Sequence, residues 1–155
     1  MAKWNLPWEG GCRCGRLRIR VTAPPMIASA CHCHGCQRMS ASAFSLTLTV
    51  PSDGFEVTQG EPVIGGLHGA NVRHHHCGHC KSWVYTTVPA MDFFVNLRAT
   101  MLDEHGWFRP YLEVWTDHAL PWALAGAPKS YATEPDLPEY QELMTGFAAE
   151  GARPA

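Results

Sequence analysis

Apolar and polar residues alternate along two short segments of the chain. Residues 17–21 (LRIRV) carry an aliphatic side chain at every second position, and residues 44–50 (FSLTLTV) repeat this pattern. Because successive side chains of a strand point to opposite faces of a sheet, a period of two predicts half-buried strands. Runs of β-branched and aromatic residues bounded by turn-forming residues predict further strands at 55–58, 82–88, 93–99 and 111–116.

Helical signals are few. Short helical turns are predicted near residues 36–42 and 101–108, and one longer helix is predicted within residues 137–151. In that last segment Pro138 suits a first helical turn and either Gly146 or Gly151 suits a stop, and we expect the tail from about Gly151 to fray.

These elements predict an all-β, or at least β-dominated, fold with one or two short helices. The length of 155 residues fits one domain, with a core at about 10–125 and a C-terminal extension at 126–155. No repeat or low-complexity segment interrupts the pattern. A domain of this size buries enough surface to form its own core, so metal is not needed merely to replace one.

Composition excludes several partners. The chain is 46% hydrophobic and 17% charged, with a formal net charge of −2, so nothing attracts it to nucleic acid or to an anionic membrane. No stretch approaches the roughly 18 apolar residues of a membrane span, and the first residues lack the apolar core of a signal peptide. We therefore expect a cytoplasmic protein in a reducing compartment.

The cysteines carry the strongest chemical signal. Seven are present, an odd number that cannot pair completely, and disulfides seldom persist in a reducing compartment. Metal ligation is the favoured interpretation. They form three tight groups, which are Cys12 with Cys14, Cys31 with Cys33 and Cys36, and Cys77 with Cys80.

Zinc prefers four tetrahedral ligands, and the Cys-x-x-Cys motif at 77–80 supplies only two of them. Its partner is either the first cysteine pair or the pair Cys33 and Cys36. In the second case residues 37–76 would separate the two motifs, well beyond the roughly 15 to 20 residues typical of zinc ribbons. The spacing therefore favours a group of four and a separate group of three.

The two groups predict different chemistry. A four-cysteine zinc site is closed and structural, whereas three thiolates leave a fourth position open, as in catalytic zinc sites. Three thiolates around Zn²⁺ give a net charge of about −1, and such a site can still hold a fourth thiolate near neutral pH. A substrate thiol is the natural fourth ligand.

Four segments resemble successive motifs of the glutathione-dependent formaldehyde-activating enzyme family. They read GGCRCG, CHCHGCQRMSASAF, HCGHCKSWVY and WFRPYLEVWTDHALPW, and the resemblance runs from about Gly10 to Trp122. It implies the Mss4-like fold of zinc-linked antiparallel β-sheets and two zinc ions per chain. The implied structural site is Cys12, Cys14, Cys77 and Cys80, and the implied second zinc site, near which glutathione binds, is Cys31, Cys33 and Cys36.

The resemblance also implies an activity. Members join formaldehyde to glutathione as S-hydroxymethylglutathione, or reverse that reaction, which is carbon–sulfur lyase chemistry. The chain departs from the family pattern at His34, at the SASAF segment that replaces Ser-Gly-Ser-Ala-Phe, and at Glu113, where relatives often carry His. These departures surround the expected pocket and bear on the substrate more than on the fold.

Several other side chains are candidates for the site. His32 and His34 can serve as the acid or base, because imidazole titrates near neutrality, although solvent exposure or loop hydrogen bonds explain them equally well. Arg38 and Arg73 can bind glutathione carboxylates, with ordinary solvated arginines as the alternative. In a strand His74 and His76 would face one way and His75 the other, so residues 74–76 cannot all bind one ion. The tryptophans are core or ligand-stacking residues, namely Trp83, Trp107, Trp115 and Trp122.

Two functions from different classes are compatible with these features. One is a zinc enzyme acting on a thiol adduct, and the other is a non-catalytic zinc-containing module that binds a protein or a small ligand. Neither the oligomeric state nor the physiological thiol follows from the sequence.

Overall fold

The computed structural model describes residues 3–67 and 69–155. It contains two β-sheets and two α-helices, which confirms the prediction of a β-dominated fold. The strands are β1 (Trp8–Gly11), β2 (Arg18–Val21), β3 (Ile27–Cys31), β4 (Ser45–Pro51), β5 (Phe55–Gln59), β6 (Pro62–Ile64), β7 (Arg73–Cys77), β8 (Trp83–Thr87), β9 (Phe94–Arg98), β10 (Leu112–Val114) and β11 (Lys129–Ser130). The helices are α1 (His34–Ser40) and α2 (Leu137–Glu150).

The two sheets differ in size. The small sheet has the strand order β1-β2-β5, and the large sheet has the order β11-β10-β3-β4-β9-β8-β7-β6. Most neighbours are antiparallel, as predicted, but β10 runs parallel to both β3 and β11. Alternation within single strands does not specify the direction of their partners, so this pairing had no sequence signal.

Apolar residues of both sheets form one core. Leu17, Ile19 and Val21 are buried, as the alternation in 17–21 predicts. The segment 44–50 behaves differently, since Leu48 and Val50 are buried but so are Ser45 and Thr47 on the opposite face. Both faces of β4 are therefore covered, and its polar face is directed toward the site described below.

Residues 101–108 do not form the predicted helical turn. The 3₁₀ turn Ala99–Met101 reaches only the first of them, and at the other end the N–H of Phe108 donates to the carbonyl of His105 at 3.0 Å in an isolated turn. The carbonyl of Leu102 accepts a hydrogen bond from His105 Nδ1 at 2.6 Å, and the carbonyl of Glu104 accepts one from Trp107 Nε1 at 2.8 Å. Side chains thus occupy the backbone acceptors that a continuing helix would use.

The C-terminal helix is strongly specified by its ends. Asp136 and Glu139 form a reciprocal capping box, and Pro138 stands in the first turn, as predicted. The helix buries Leu143 and Phe147 in the core. The C-terminal extension is therefore an integral part of the fold.

The prediction that the tail frays is also wrong. The guanidinium of Arg153 lies 4.0 Å from the centroid of the Trp4 ring, and Asn5 Nδ2 donates to the carbonyl of Ala155 at 2.7 Å. The same Trp4 ring contacts Phe147. The two ends of the chain therefore hold each other against α2.

The longest described helix has 14 residues, and none of the described helices combines the length and hydropathy that a membrane span requires.

Phe147 anchors α2, and replacing it tests the role of the extension. We expect Phe147→Ala to lower the free energy of unfolding by about 3–5 kcal/mol, because it removes a fully buried ring and leaves a cavity. Leu137→Ala in the same helix is the matched control, since Leu137 is 73% exposed, and it should change stability by less than about 0.5 kcal/mol. Denaturant unfolding measures both variants, and equal losses would show that the helix does not anchor through its buried face.

Candidate metal centres

Four cysteines from two distant parts of the chain meet between the sheets. Cys12 and Cys14 follow β1, Cys77 ends β7, and Cys80 lies in the turn before β8. Their sulfur atoms all lie within 4.8 Å of one another, with 3.6 Å between Cys12 and Cys14 and 3.7 Å between Cys14 and Cys77. A tetrahedral zinc site with bonds of about 2.3 Å places its sulfurs about 3.8 Å apart. This four-cysteine group therefore fits a closed metal site.

Hydrogen-bond donors surround these sulfurs. The backbone N–H of Leu17 donates to Cys12 Sγ at 3.3 Å, and that of His79 donates to Cys77 Sγ at 3.4 Å. Burial raises the pKa of Cys80, but the Ser82 hydroxyl, the Ser82 and Cys14 backbone and the Cys14 thiol outweigh it and lower that pKa to about 5. N–H and O–H donors directed at sulfur favour the thiolate, which is the form that binds metal.

The remaining three cysteines form a second group, which we call the triplet. Cys31 ends β3, Cys33 is the N-cap of α1, and Cys36 lies in the first turn of that helix. The short helix brings them together, because Cys33 Sγ accepts the N–H of Cys36 at 3.3 Å. Their sulfurs lie within 4.8 Å of one another, and no other Cys, His, Asp or Glu of residues 3–67 and 69–155 joins them. The triplet can therefore hold a metal ion and leave one position open.

Two cysteines of the triplet have thiol pKa values shifted in opposite directions. The pKa of Cys36 is lowered to about 6, chiefly because the Cys31 thiol donates to it, while burial acts in the opposite direction. The same contact raises the pKa of Cys31, since that thiol keeps the proton. The buried Ser45 hydroxyl faces Cys36 and also lowers its pKa. The surroundings of Cys36 thus favour the thiolate at that position.

A buried arginine, which the sequence did not indicate, lies beside the triplet. Arg98 ends β9, and its side chain is almost entirely buried, with its Cζ 4.1 Å from the centroid of the Trp83 ring. Burial lowers the pKa of Arg98 to about 10, and the charges of Cys36 and Cys31 act to raise it. Arg98 looked like one polar residue of an ordinary strand, and only the sheet register places it here.

His32 lies between two triplet cysteines in the sequence, and its side chain is directed into the protein. It is fully buried, and its Nε2 donates to Glu113 Oε1 at 2.8 Å. Glu113 also accepts the N–H of Ala125 and the N–H of Ala127, each at 2.9 Å. Although burial raises the pKa of Glu113, these three donors outweigh it and lower that pKa. The Glu113 carboxylate thus links β10 to the loop that carries His32 and to residues 125–127.

His34 is placed differently. It is exposed at the start of α1, and its ring stacks on that of His118 with a centroid distance of 4.3 Å. Gln37 Nε2 donates to the carbonyls of His32 and His118 at 2.7 and 2.9 Å, which fixes α1 against the 3₁₀ turn Thr116–His118. His118 is a neighbour of the site that sequence reasoning missed, because it lies 82 positions after Cys36, the nearest triplet cysteine in the sequence.

The two candidate arginines have different surroundings. Arg38 is exposed on α1, whereas Arg73 Nη1 donates to the carbonyls of Ala70 and Val72 in its own loop. The histidines of β7 alternate as predicted, since His74 bonds the Thr86 hydroxyl and His75 stacks on Tyr85.

Three of the four tryptophans noted above have packing roles. Trp107 packs against Trp8, Trp115 lies near His118, and Trp83 covers Arg98. Trp122 is 81% exposed and is not a core residue.

Replacing Glu113 tests whether its carboxylate organises the cysteine loop. We expect Glu113→Gln to lower the free energy of unfolding at pH 7 by about 1–3 kcal/mol, because an amide accepts through only one atom and leaves a buried donor unpaired. Glu104→Gln, at an exposed carboxylate, is the control and should change stability by less than about 0.5 kcal/mol. Thermal or denaturant unfolding measures both, and a Glu113 variant as stable as the control would contradict this role.

Comparisons with known proteins agree with this architecture. Residues 7–118 match the family model described as glutathione-dependent formaldehyde-activating enzyme. The chain also superposes on the crystal structure of a Rhodobacter sphaeroides protein with a TM-score of 0.51, 18% identity, and coverage of 61% of this chain and 87% of that one. That similarity concerns the fold alone. No curated protein matches the sequence significantly. Since the family model covers most of the chain, including all seven cysteines, this protein belongs to the glutathione-dependent formaldehyde-activating enzyme family.

Proposed function

We propose that the protein is a zinc-dependent carbon–sulfur lyase that acts on a glutathione adduct such as S-hydroxymethylglutathione. The observation that carries this proposal is the triplet, where three sulfurs converge and no fourth protein ligand among the described residues joins them. A closed four-ligand site would leave no place for a substrate sulfur. Family membership supports the thiol substrate.

We propose two zinc ions per chain. The four-cysteine group suits a structural ion, because its sulfurs are spaced for a tetrahedral site and two of its members, Cys12 and Cys77, are buried. The triplet suits the second ion, which when bound supplies the Lewis-acid chemistry that keeps a ligating thiol deprotonated near neutral pH. All seven thiols are free, which suits a reducing compartment such as the cytoplasm.

We assign the proton-transfer role to His34. In the synthetic direction the glutathione sulfur bonds to the formaldehyde carbon, and the carbonyl oxygen needs a proton; in the reverse direction the hydroxyl must lose it. His34 is exposed beside the triplet and stacks on His118, whereas buried His32 is committed to Glu113. His32 therefore becomes a structural residue in this proposal, although both histidines were sequence candidates.

The acidic groups of glutathione need cations at the rim of the site. Arg38 is the better candidate, because it is exposed on the same helix as Cys36. Arg73 is a weaker one, since its guanidinium already donates to two carbonyls of its own loop.

Metal content separates the two sites. We expect Cys33→Ser to remain folded and to bind about one zinc per chain instead of about two, because it removes a ligand from the open site only. Cys12→Ser should instead lower the melting temperature and destabilise the fold, because it removes a buried ligand that joins the two sheets. Elemental analysis with circular dichroism measures both. A chain that binds one tightly held zinc, unchanged by Cys33→Ser, would favour the non-catalytic module.

Exchange of formaldehyde with glutathione, followed by NMR, tests the reaction itself. We expect the protein to accelerate exchange above the spontaneous rate, and His34→Ala to reduce that acceleration by about 10²-fold through loss of the acid. His79→Ala is the matched control, since His79 is also an exposed histidine between two cysteines of a metal motif, but in the other group. No acceleration by the unaltered protein would refute the named activity while leaving the fold and the metal sites intact.

A further inference from the structure

The large sheet has a polar face that ends at the triplet. In the strand register Cys31 is opposite Ser45, and Thr47, two positions further along β4, is opposite Arg98. Directly opposed residues, and residues two apart in one strand, share a face of the sheet. Cys31, Ser45, Thr47 and Arg98 therefore lie on one face, and helix α1 carries Cys36 above it.

A β-bulge holds the arginine in place. His75 pairs with Tyr85 and His76 pairs with Trp83, so Val84 is an extra residue with no partner. Without the bulge Trp83 and Thr86 would project from opposite faces, because three positions separate them. With it, Trp83 Nε1 donates to the Thr86 hydroxyl at 2.9 Å, and the indole ring lies against the Arg98 guanidinium.

Arg98 has no conventional counter-ion. No carboxylate in residues 3–67 and 69–155 lies within ion-pair distance of it. Its Nε has no hydrogen-bond partner there, and its Nη2 makes one long bond of 3.5 Å to the carbonyl of Asn96. A guanidinium remains charged, and a buried charge is costly unless an opposite charge compensates it. The strand register instead places the triplet beside Arg98, because Cys31 and Arg98 lie on the same face of the sheet, opposite positions two apart on β4.

The positive charge of Arg98 is opposite in sign to the net charge that the triplet would have with a bound metal ion. Three thiolates around a divalent ion leave a net charge of about −1, and a fourth thiolate makes it about −2. A single buried guanidinium reduces each of these by one. This compensation rests on the proposed function only in that the triplet binds a divalent metal and a thiolate.

We propose that Arg98 is the charge-balancing residue of the triplet, a positioning residue that strengthens its hold on a divalent metal ion and on a fourth, anionic sulfur ligand. Arg98 acts through the metal ligands and does not itself contact the reacting atoms. Trp83 and the bulge at Val84 serve to keep the guanidinium on the correct face.

The test compares a neutral and a charged replacement. Arg98→Met removes the charge and keeps an unbranched apolar stem, and Arg98→Lys keeps the charge. Arg153→Met is the matched control, because Arg153 also lies over a tryptophan ring, at 4.0 Å from Trp4, but packs at the chain termini. Zinc affinity is measured by chelator competition, with Cys33→Ser defining the signal of the four-cysteine group alone.

We expect Arg98→Met to weaken zinc binding at the triplet by about 10- to 100-fold, as removal of groups around metal ligands commonly does. Arg98→Lys should lose less than about 10-fold, and Arg153→Met should match the unaltered protein. In the cobalt-substituted protein, titration with 2-mercaptoethanol, a thiol without carboxylates, should show weaker thiolate binding in Arg98→Met. Unchanged zinc affinity in this variant, or equal losses in the Met and Lys variants, would overturn the proposal.

Two further measurements keep the outcome decisive. If Arg98→Met does not fold, Arg98→Gln replaces it as the neutral variant, and zinc retained by the four-cysteine group reports folding. If the protein does not accelerate formaldehyde exchange but its zinc affinity still depends on Arg98, the activity is rejected and the charge role is supported. If the protein accelerates exchange but its zinc affinity does not depend on Arg98, the activity is supported and the charge role is rejected.

Discussion

The convergence of four cysteine sulfurs between the sheets is the constraint on which the rest of the structure depends. Cys12 belongs to the end of the small sheet and Cys77 to the large one, and both are buried. The sulfurs of Cys14 and Cys77 lie 3.7 Å apart and bring the segment after β1 to the end of β7. A metal ion bound by these sulfurs would fix that approach more narrowly than apolar packing alone can, since hydrophobic contact is not directional. Within the large sheet, the register of β3, β4 and β9 then positions the triplet and Arg98.

The interior beside the triplet is organised by charge as much as by packing. On one side Glu113 gathers three N–H donors and fixes His32 beneath the cysteine loop. On the other side Arg98 is buried between an indole ring and thiols, without a carboxylate among the described residues. A carboxylate that is fully hydrogen-bonded and a cation that faces thiolates are the two arrangements that make buried charge tolerable. Each also restricts where the cysteine loop can lie.

The structure supports a division of labour between the histidines that the sequence left open. His32 and His34 are close in sequence but differ in environment. His32 precedes the N-cap of α1 and is buried, whereas His34 is the first residue of that helix and is exposed. The exposed imidazole of His34 is accessible to a small substrate and to water, whereas Nε2 of the buried His32 ring is bonded to Glu113. The stacked ring of His118 reaches this place because Gln37 holds its turn against α1.

Local sequence determined those features that depend on neighbouring residues. Alternation at 17–21 specified β2, the capping signals around Pro138 specified α2, and cysteine spacing separated a group of four from a group of three. The prediction at 101–108 failed because the side chains of His105 and Trp107 take the carbonyls that a helix needs. The tail was wrongly expected to fray because its partner, Trp4, lies at the other end of the chain. The parallel pairing of β10, the burial of Arg98 and the contact of His118 with His34 were decided only by tertiary structure. Each depends on strand register and packing between segments far apart in sequence, and no local pattern encodes which distant residues will meet.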